Sequence, residues 1–352
     1  MNLYLVLIFI TSLIGIKFFV KDSNKDYLSK ENTNCIKGIF ILIVFYSHLC
    51  TYIPYQHSKD FLMYDLRSFL GQLMVTMFLF YSGYGIYESI KKKKSNYINN
   101  IPIKRILITL LNFDIAVLTF AVVNQLIGNG KTLEEILLAL TGWGGIGNSN
   151  WYIFAILFLY LSTYISFKIL DKNDKNAIIC NWILTIFIMA IIAIYRGEGY
   201  EYCYNTLLCY PFGLTYSLYK EKINKILFNN KKYILLFITI FSIFFLFKKA
   251  ENINTIFYSI SSLLFVLCVI LLSIKVKLNS PVLKWCGENL FWLYILQRLP
   301  MQVMSKLGYS NHAYRFALIA FITTIILTFI YTKVVGKLNN LIIKKTLNKE
   351  IT

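Results

Sequence analysis

The chain has 352 residues, of which 57% are hydrophobic and 15% charged, far below the roughly one quarter charged that a soluble domain carries, so a soluble globule is excluded. Its apolar residues gather into blocks of about twenty, the length that crosses a bilayer, separated by short Lys- and Asn-rich connectors. The net charge of +19 resides in those connectors, where resistance of basic residues to translocation accounts for it, and no nucleic-acid partner is expected.

In chain order the sequence predicts eleven spans, at 2–20, 36–54, 69–90, 105–127, 150–169, 179–195, 202–219, 233–247, 256–274, 287–305 and 315–335. The first lacks a basic start and a small-residue cleavage site, which predicts a retained helix rather than a signal peptide. One alternating set of connectors and span ends carries 27 of the 36 basic residues, the other carries eight, and Arg298 alone lies within a span. The predicted fold is therefore an all-α, polytopic transmembrane bundle with its N-terminus outside and its C-terminus cytoplasmic. The longest connector, 128–149, is too short for a soluble catalytic domain, so any chemistry must use the bundle. Seven scattered cysteines without a CxxC pair read as small apolar residues; the alternative is an outer bridge from Cys50 to Cys203 or Cys209. No metal site is expected.

Ionisable groups within spans are costly unless they face a cavity or a partner. His48, Asp114, Gln297 and Arg298 are the polar residues so placed. Lys37 and His48 are eleven residues apart, which at 100° per residue is about 20° beyond three full turns, so they share a helix face about 16 Å apart along the axis. A cation at the cytoplasmic mouth with an imidazole further in suits a long donor whose phosphates stay at the mouth. The competing reading is a snorkelling lysine and a hydrogen-bonded core histidine. The small residues of Tyr81-Ser82-Gly83-Tyr84-Gly85 permit close approach of another helix or a ligand, with packing the commoner use. Lys91, Lys92, Lys93, Lys94, Lys104 and Arg105 make the densest basic connector, suited to lipid headgroups or to donor phosphates. The outer 142–151 segment is rich in Gly, Asn and Trp and suits either a sugar ring or the membrane interface. Glu198 and Glu201 add two outer carboxylates.

At Lys37, His48 and the 71–84 run Gly-Gln-Leu-Met-Val-Thr-Met-Phe-Leu-Phe-Tyr-Ser-Gly-Tyr, the sequence resembles the acyltransferase-3 family of integral membrane acyltransferases. The resemblance extends over about residues 34–335, with further landmarks at 150–153 and 287–300. It implies transfer of an acetyl or other short acyl group from cytosolic acyl-CoA to a hydroxyl of an extracytoplasmic or lipid-linked sugar. By the same resemblance His48 is the catalytic histidine and Lys37 its donor-side partner. Arg105 stands at the second of two family arginines, with Pro102 at the first and Lys104 beside Arg105. Ser82, Tyr84, Trp151 and Arg298 are substrate candidates, Arg298 following a Tyr-Ile-Leu stretch where the family often carries a histidine.

The sequence thus divides into an extra N-terminal helix and linker (1–33), an acyltransferase-like membrane domain (34–335) and a basic cytoplasmic tail (336–352). The expected function is O-acetylation of a capsular or other surface polysaccharide, with acetyl-CoA as co-substrate, in a multi-pass protein of a bacterial cytoplasmic membrane. Its partners are acyl-CoA, the glycan acceptor and membrane lipids, and a homo-oligomer is compatible with the sequence. The alternatives are an exporter of a glycan or lipid-linked intermediate, for which no inverted repeat is visible, and a non-catalytic subunit of a polysaccharide assembly.

Overall fold

Within lipid every backbone polar group must be satisfied inside the protein, and this chain satisfies them with helices. A computed structural model describes residues 2–170 and 173–348. The helices are α1 (Asn2–Leu13), α2 (Lys30–Leu49), α3 (His57–Leu70), α4 (Leu73–Asn99), α5 (Ile108–Leu126), α6 (Leu133–Leu140), α7 (Trp151–Ile169) and α8 (Asp174–Arg196). They continue as α9 (Cys209–Leu227), α10 (Asn230–Ala250), α11 (Thr255–Lys275), α12 (Pro281–Glu288), α13 (Leu290–Leu296), α14 (Arg298–Lys306) and α15 (Ala313–Asn348). A π-helical turn at Pro102–Leu107 leads into α5. The asparagine and serine content has a local use, because Ser29, Asn173, Asn229, Asn254 and Ser280 each accept a hydrogen bond from a first-turn N–H of the helix they precede, satisfying donors that would otherwise be orphaned.

Among the described residues six segments are long and apolar enough to cross a bilayer: Pro102–Leu126, α7, α8, α10, α11 and Ala313–Lys344 of α15; α3 with α4, bent by 50° at their junction, makes a seventh if taken as one span. This bears out a multi-pass helical bundle. The remaining four expected spans differ in physical ways. The 2–20 segment is helical only as far as Leu13; Gly15 then turns the chain with φ +68°, and Lys17–Phe18 (β1) pairs antiparallel with Val276–Lys277 (β2). The 202–219 segment begins as a 3-10 turn at Glu201–Cys203 and becomes α-helical only at Cys209. The 287–305 segment leaves helical geometry at Asn289 (φ −101°, ψ 19°) and is interrupted again at Gln297, whose own backbone angles stay helical. The 36–54 segment lies in α2, fifteen of whose twenty residues are buried. Its wall is protein rather than lipid, which is why it tolerates buried Asn32, Thr33 and Asn34; Lys30 and Glu31 before them are exposed. By contrast α10 exposes Ile234, Leu235, Ile238, Phe245 and Leu246, as a lipid-facing helix does.

Two glycine-mediated contacts set α2 and α4 in place. A Cβ on Gly83 of α4 would lie 2.1 Å from the Tyr210 carbonyl oxygen, and one on Gly213 of α9 would lie 2.2 Å from that of Phe80. Gly38 of α2 meets the Leu283 carbonyl at 2.1 Å on the same construction, and Gly287 of α12 meets that of Asn34 at 2.0 Å. Backbone-to-backbone approach of this kind is how helices associate where lipid offers no hydrophobic drive.

The connectors fall at two ends. Lys168 reaches Asn99, Lys91 reaches the Ser217 carbonyl, Lys275 reaches the Asp22 carbonyl and Asn230, and Lys284 pairs with Glu31, so the Lys-rich connectors neighbour one another. At the opposite end Tyr4 donates to the Tyr314 carbonyl, the Met63 N–H to Asn2, the Gln72 N–H to Tyr258, and Arg196 to the Trp143 carbonyl. The seven cysteines are free thiols, six of them buried. They act as small apolar residues, and the Cys50 bridge is not formed. The helix α15 runs past 335 into the basic tail as far as Asn348.

Candidate active site

On α2, every residue from Asn32 to Leu49 is buried except Lys37, Ile39 and His48. The helix is enclosed on all sides, and the two ionisable side chains that keep some exposure are the two whose spacing places them on one face. His48 keeps its exposure because it lines a cavity of about 340 Å3 at the Lys-poor end. Its Nδ1 is buried and has no hydrogen-bond partner.

Four parts of the chain meet around this imidazole. The α3–α4 junction contributes Arg67, Gly71 and Gln72. Gly71 takes φ +48° and ψ −127° to make the bend, a conformation closed to side chains with a Cβ. The 142–151 segment folds inward: Ile146, Asn148 and Ser149 are buried, Asn124 donates to the Ile146 carbonyl, and Asn150 ties the loop together by donating to the Gly142 carbonyl. Asn148, Ser149 and Trp151 therefore form cavity wall. The broken stretch contributes Tyr294 from α13, whose ring centroid is 6.3 Å from that of His48, and Arg298 from the first turn of α14. The fourth part is Tyr202, packed edge-on to Trp151. Arg298 lines the cavity from the turn after Tyr294; its Nε is buried without a partner, while Tyr52 lies in hydrogen-bonding reach of the guanidinium. Both Arg298 and Arg67 are close enough for their charges to act on the His48 ring.

A file of polar groups runs from this cavity toward the basic end. Tyr152 packs edge-on to Tyr294, centroids 5.5 Å apart. Ser82 lies within hydrogen-bonding reach of Tyr152 and of Tyr160, two turns apart on α7. Tyr160 neighbours Tyr210, whose hydroxyl shares a 2.7 Å hydrogen bond with Thr163. Arg105 closes the file, donating from Nε to the Tyr97 hydroxyl at 3.0 Å and lying beside Tyr160 and Tyr210.

Of the residues singled out in the sequence, the structure thus brings His48, Trp151 and Arg298 into one cavity. Ser82 and Arg105 belong to the file behind it, and Lys104 is exposed beside Arg105. Lys37 sits at the other end of α2, near Glu288, and is not cavity wall. Tyr84 is set apart: it stacks on Phe80 under the Lys220 ammonium, 5.7 Å away, in the basic half of α4. Gly83 between these two residues serves packing. Sequence reasoning passes over Arg67 and Tyr202. Arg67 carries a signal, a cation one turn before the Gly71-Gln72 start of the motif, whereas nothing distinguishes Tyr202 among 26 tyrosines.

No curated protein and no solved structure matches the chain detectably. A family profile described as an acyltransferase domain matches residues 31–333, from the first turn of α2 into α15, a stretch that contains every cavity residue. The chain therefore belongs to the acyltransferase-3 family, and it is a multi-pass membrane acyltransferase.

Proposed function

We propose that this acyltransferase is an O-acetyltransferase of a surface polysaccharide, working in a bacterial cytoplasmic membrane, with acetyl-CoA as donor on the basic side and a glycan hydroxyl as acceptor on the other. The observation that carries the reading is His48, enclosed on α2 yet lining a polar cavity with an unpartnered Nδ1 and two guanidiniums beside it. A buried polar atom left unsatisfied is costly, and a hydroxyl-bearing acceptor would supply the missing partner.

In this scheme neutral His48 accepts the proton as the acceptor oxygen attacks the thioester carbonyl. A C–O bond forms, the C–S bond breaks as the tetrahedral adduct collapses, and the proton passes from His48 to the departing CoA thiolate. Arg298, with its free Nε, and Arg67 supply positive charge where the carbonyl oxygen becomes an oxyanion. Polyanionic CoA is drawn to the end where Lys37, Lys104 and Arg105 lie, and the tyrosine file headed by Arg105 marks the path along which the acyl-bearing arm approaches the cavity.

The test is transfer of label from acetyl-CoA by His48→Ala in proteoliposomes. Transfer should fall by about 10²- to 10⁴-fold, the usual worth of a general base, with insertion and helicity unchanged. Wild-type transfer by that variant would overturn the assignment.

A further inference from the structure

Beside the His48 cavity lies a larger groove of about 650 Å3, and Gly71, Gln72 and Tyr202 line both. The two spaces therefore share a wall at the α3–α4 bend. The groove is floored by the start of α11 and the turn before it, with Asn252, Asn254 and Thr255, and walled by the segment leading into α9, with Tyr204 and Asn205.

Three features indicate what it accepts. First, it is rich in neutral hydrogen-bonding groups. Asn205 is 4% exposed, and its amide oxygen has no hydrogen-bond partner although the residue lines the groove. The Tyr258 hydroxyl accepts the Gln72 N–H at 2.9 Å and keeps its own proton to donate. Second, tyrosine rings at 202, 204 and 258 offer apolar faces among those groups, the pairing that suits the two faces of a sugar ring. Third, no lysine or arginine lines it. The nearby Lys248 is bonded to Glu251 and lies 5.2 Å from the Phe69 ring centroid. Glu201, on the rim, is held below the ordinary carboxylate range by the N–H groups of Glu201 itself and Gly199, so it is charged at neutral pH. Glu251, the other carboxylate in the lining, is neutralised by Lys248, so a phosphate or uronate would meet the charge of Glu201 with no cation in the lining to offset it, and a like-charge contact disfavours a ligand.

We propose that this groove is the acceptor subsite and that it selects an uncharged glycan, presenting one hydroxyl across the Gly71–Gln72 bend to His48. The assignment rests on the acyltransferase function above but makes a separate claim about binding.

The experiment uses the full-length protein in nanodiscs, fluorescently labelled and applied to an array of neutral oligosaccharides and uronate- or phosphate-bearing ones of matched length. Binding should be confined to uncharged glycans. Asn205→Leu should weaken it on the order of ten-fold, the worth of one hydrogen bond to a desolvated amide. Because Asn205 is buried, Asn252→Lys provides a second variant at an exposed position, and it should shift binding toward uronate-bearing glycans. Preference for acidic glycans by the wild type, binding to no glycan, or a profile unchanged in both variants overturns the proposal. Acetyl transfer is measured on the same preparation: uncharged-glycan binding without transfer supports the groove and overturns the transfer reading.

Discussion

Arg298 illustrates how a single side chain acquires meaning from its surroundings. In the sequence it is the one basic residue within a span, a costly placement that demands a partner. In the structure it lies beside Tyr52 and lines the same cavity as His48, with Nε unpaired. A guanidinium presents several fixed donors where an ammonium is a point charge, so Arg298→Lys should not restore function. Both Arg298→Lys and Arg298→Gln should lower kcat by about 10²- to 10³-fold, the cost of losing one oxyanion donor, with the KM for acetyl-CoA little changed. Steady-state kinetics in proteoliposomes provide the check; a wild-type kcat in Arg298→Lys would reduce the residue to a source of charge. The pairing of Lys37 with His48 on one face was legible from helix periodicity alone, since both lie on one continuous helix. Arg67 and Tyr202 were not, because their approach to His48 depends on a 50° bend and on a non-helical segment before α9, neither of which has a periodic signature.

At the level of elements, the Ser82-Gly83-Tyr84-Gly85 sequence separates two kinds of glycine. Gly83 faces the Tyr210 backbone at a distance that no Cβ can occupy, whereas a Cβ on Gly85 would meet nothing within 4 Å. Gly83→Ala should therefore force α4 from α9, with a loss of about 1–3 kcal/mol typical of overpacking. Gly85→Ala should be neutral or raise stability by up to about 1 kcal/mol through helix propensity. Thermal unfolding in detergent distinguishes them, and equal midpoints would refute the packing role of Gly83. Hydropathy located the lipid-facing helices well, because they alone must be apolar all round. It described the central ones poorly. The first apolar stretch is helical for twelve residues, about 18 Å at 1.5 Å per residue, too short to cross, and its continuation pairs as a strand. The 287–305 segment is interrupted at Asn289 and again just before Pro300, which has no N–H to give to the Leu296 carbonyl. Only the second departure occurs where the neighbour is protein, so that the membrane's demand for a continuous apolar helix no longer applies; the first lies on an exposed element, with Tyr4 and Ile8 the buried residues of α1 and both β1 residues exposed.

For the whole molecule, the decisive property is the separation of the two ends. The Lys-rich connectors neighbour one another through bonds such as Lys168 to Asn99 and Lys275 to Asn230, and the His48 cavity and the adjoining groove lie at the opposite end. If the basic end faces the cytoplasm, as the distribution of 27 basic residues against eight predicts, then in the proposed reaction CoA and acceptor approach from different compartments and meet only through the bundle. Labelled acetyl-CoA supplied to the basic face of oriented vesicles should then acetylate glycan enclosed on the other face. Supplied to the opposite face, it should give little product. The rate should fall as salt rises above physiological strength, where the screening length is already about 8 Å, because long-range attraction of a polyanion is what salt removes. An exporter would behave differently: glycan would cross while the acetyl label stayed on CoA. That outcome, or equal transfer from both faces, would refute a division of labour between the ends and require donor and acceptor to enter the His48 cavity from one side.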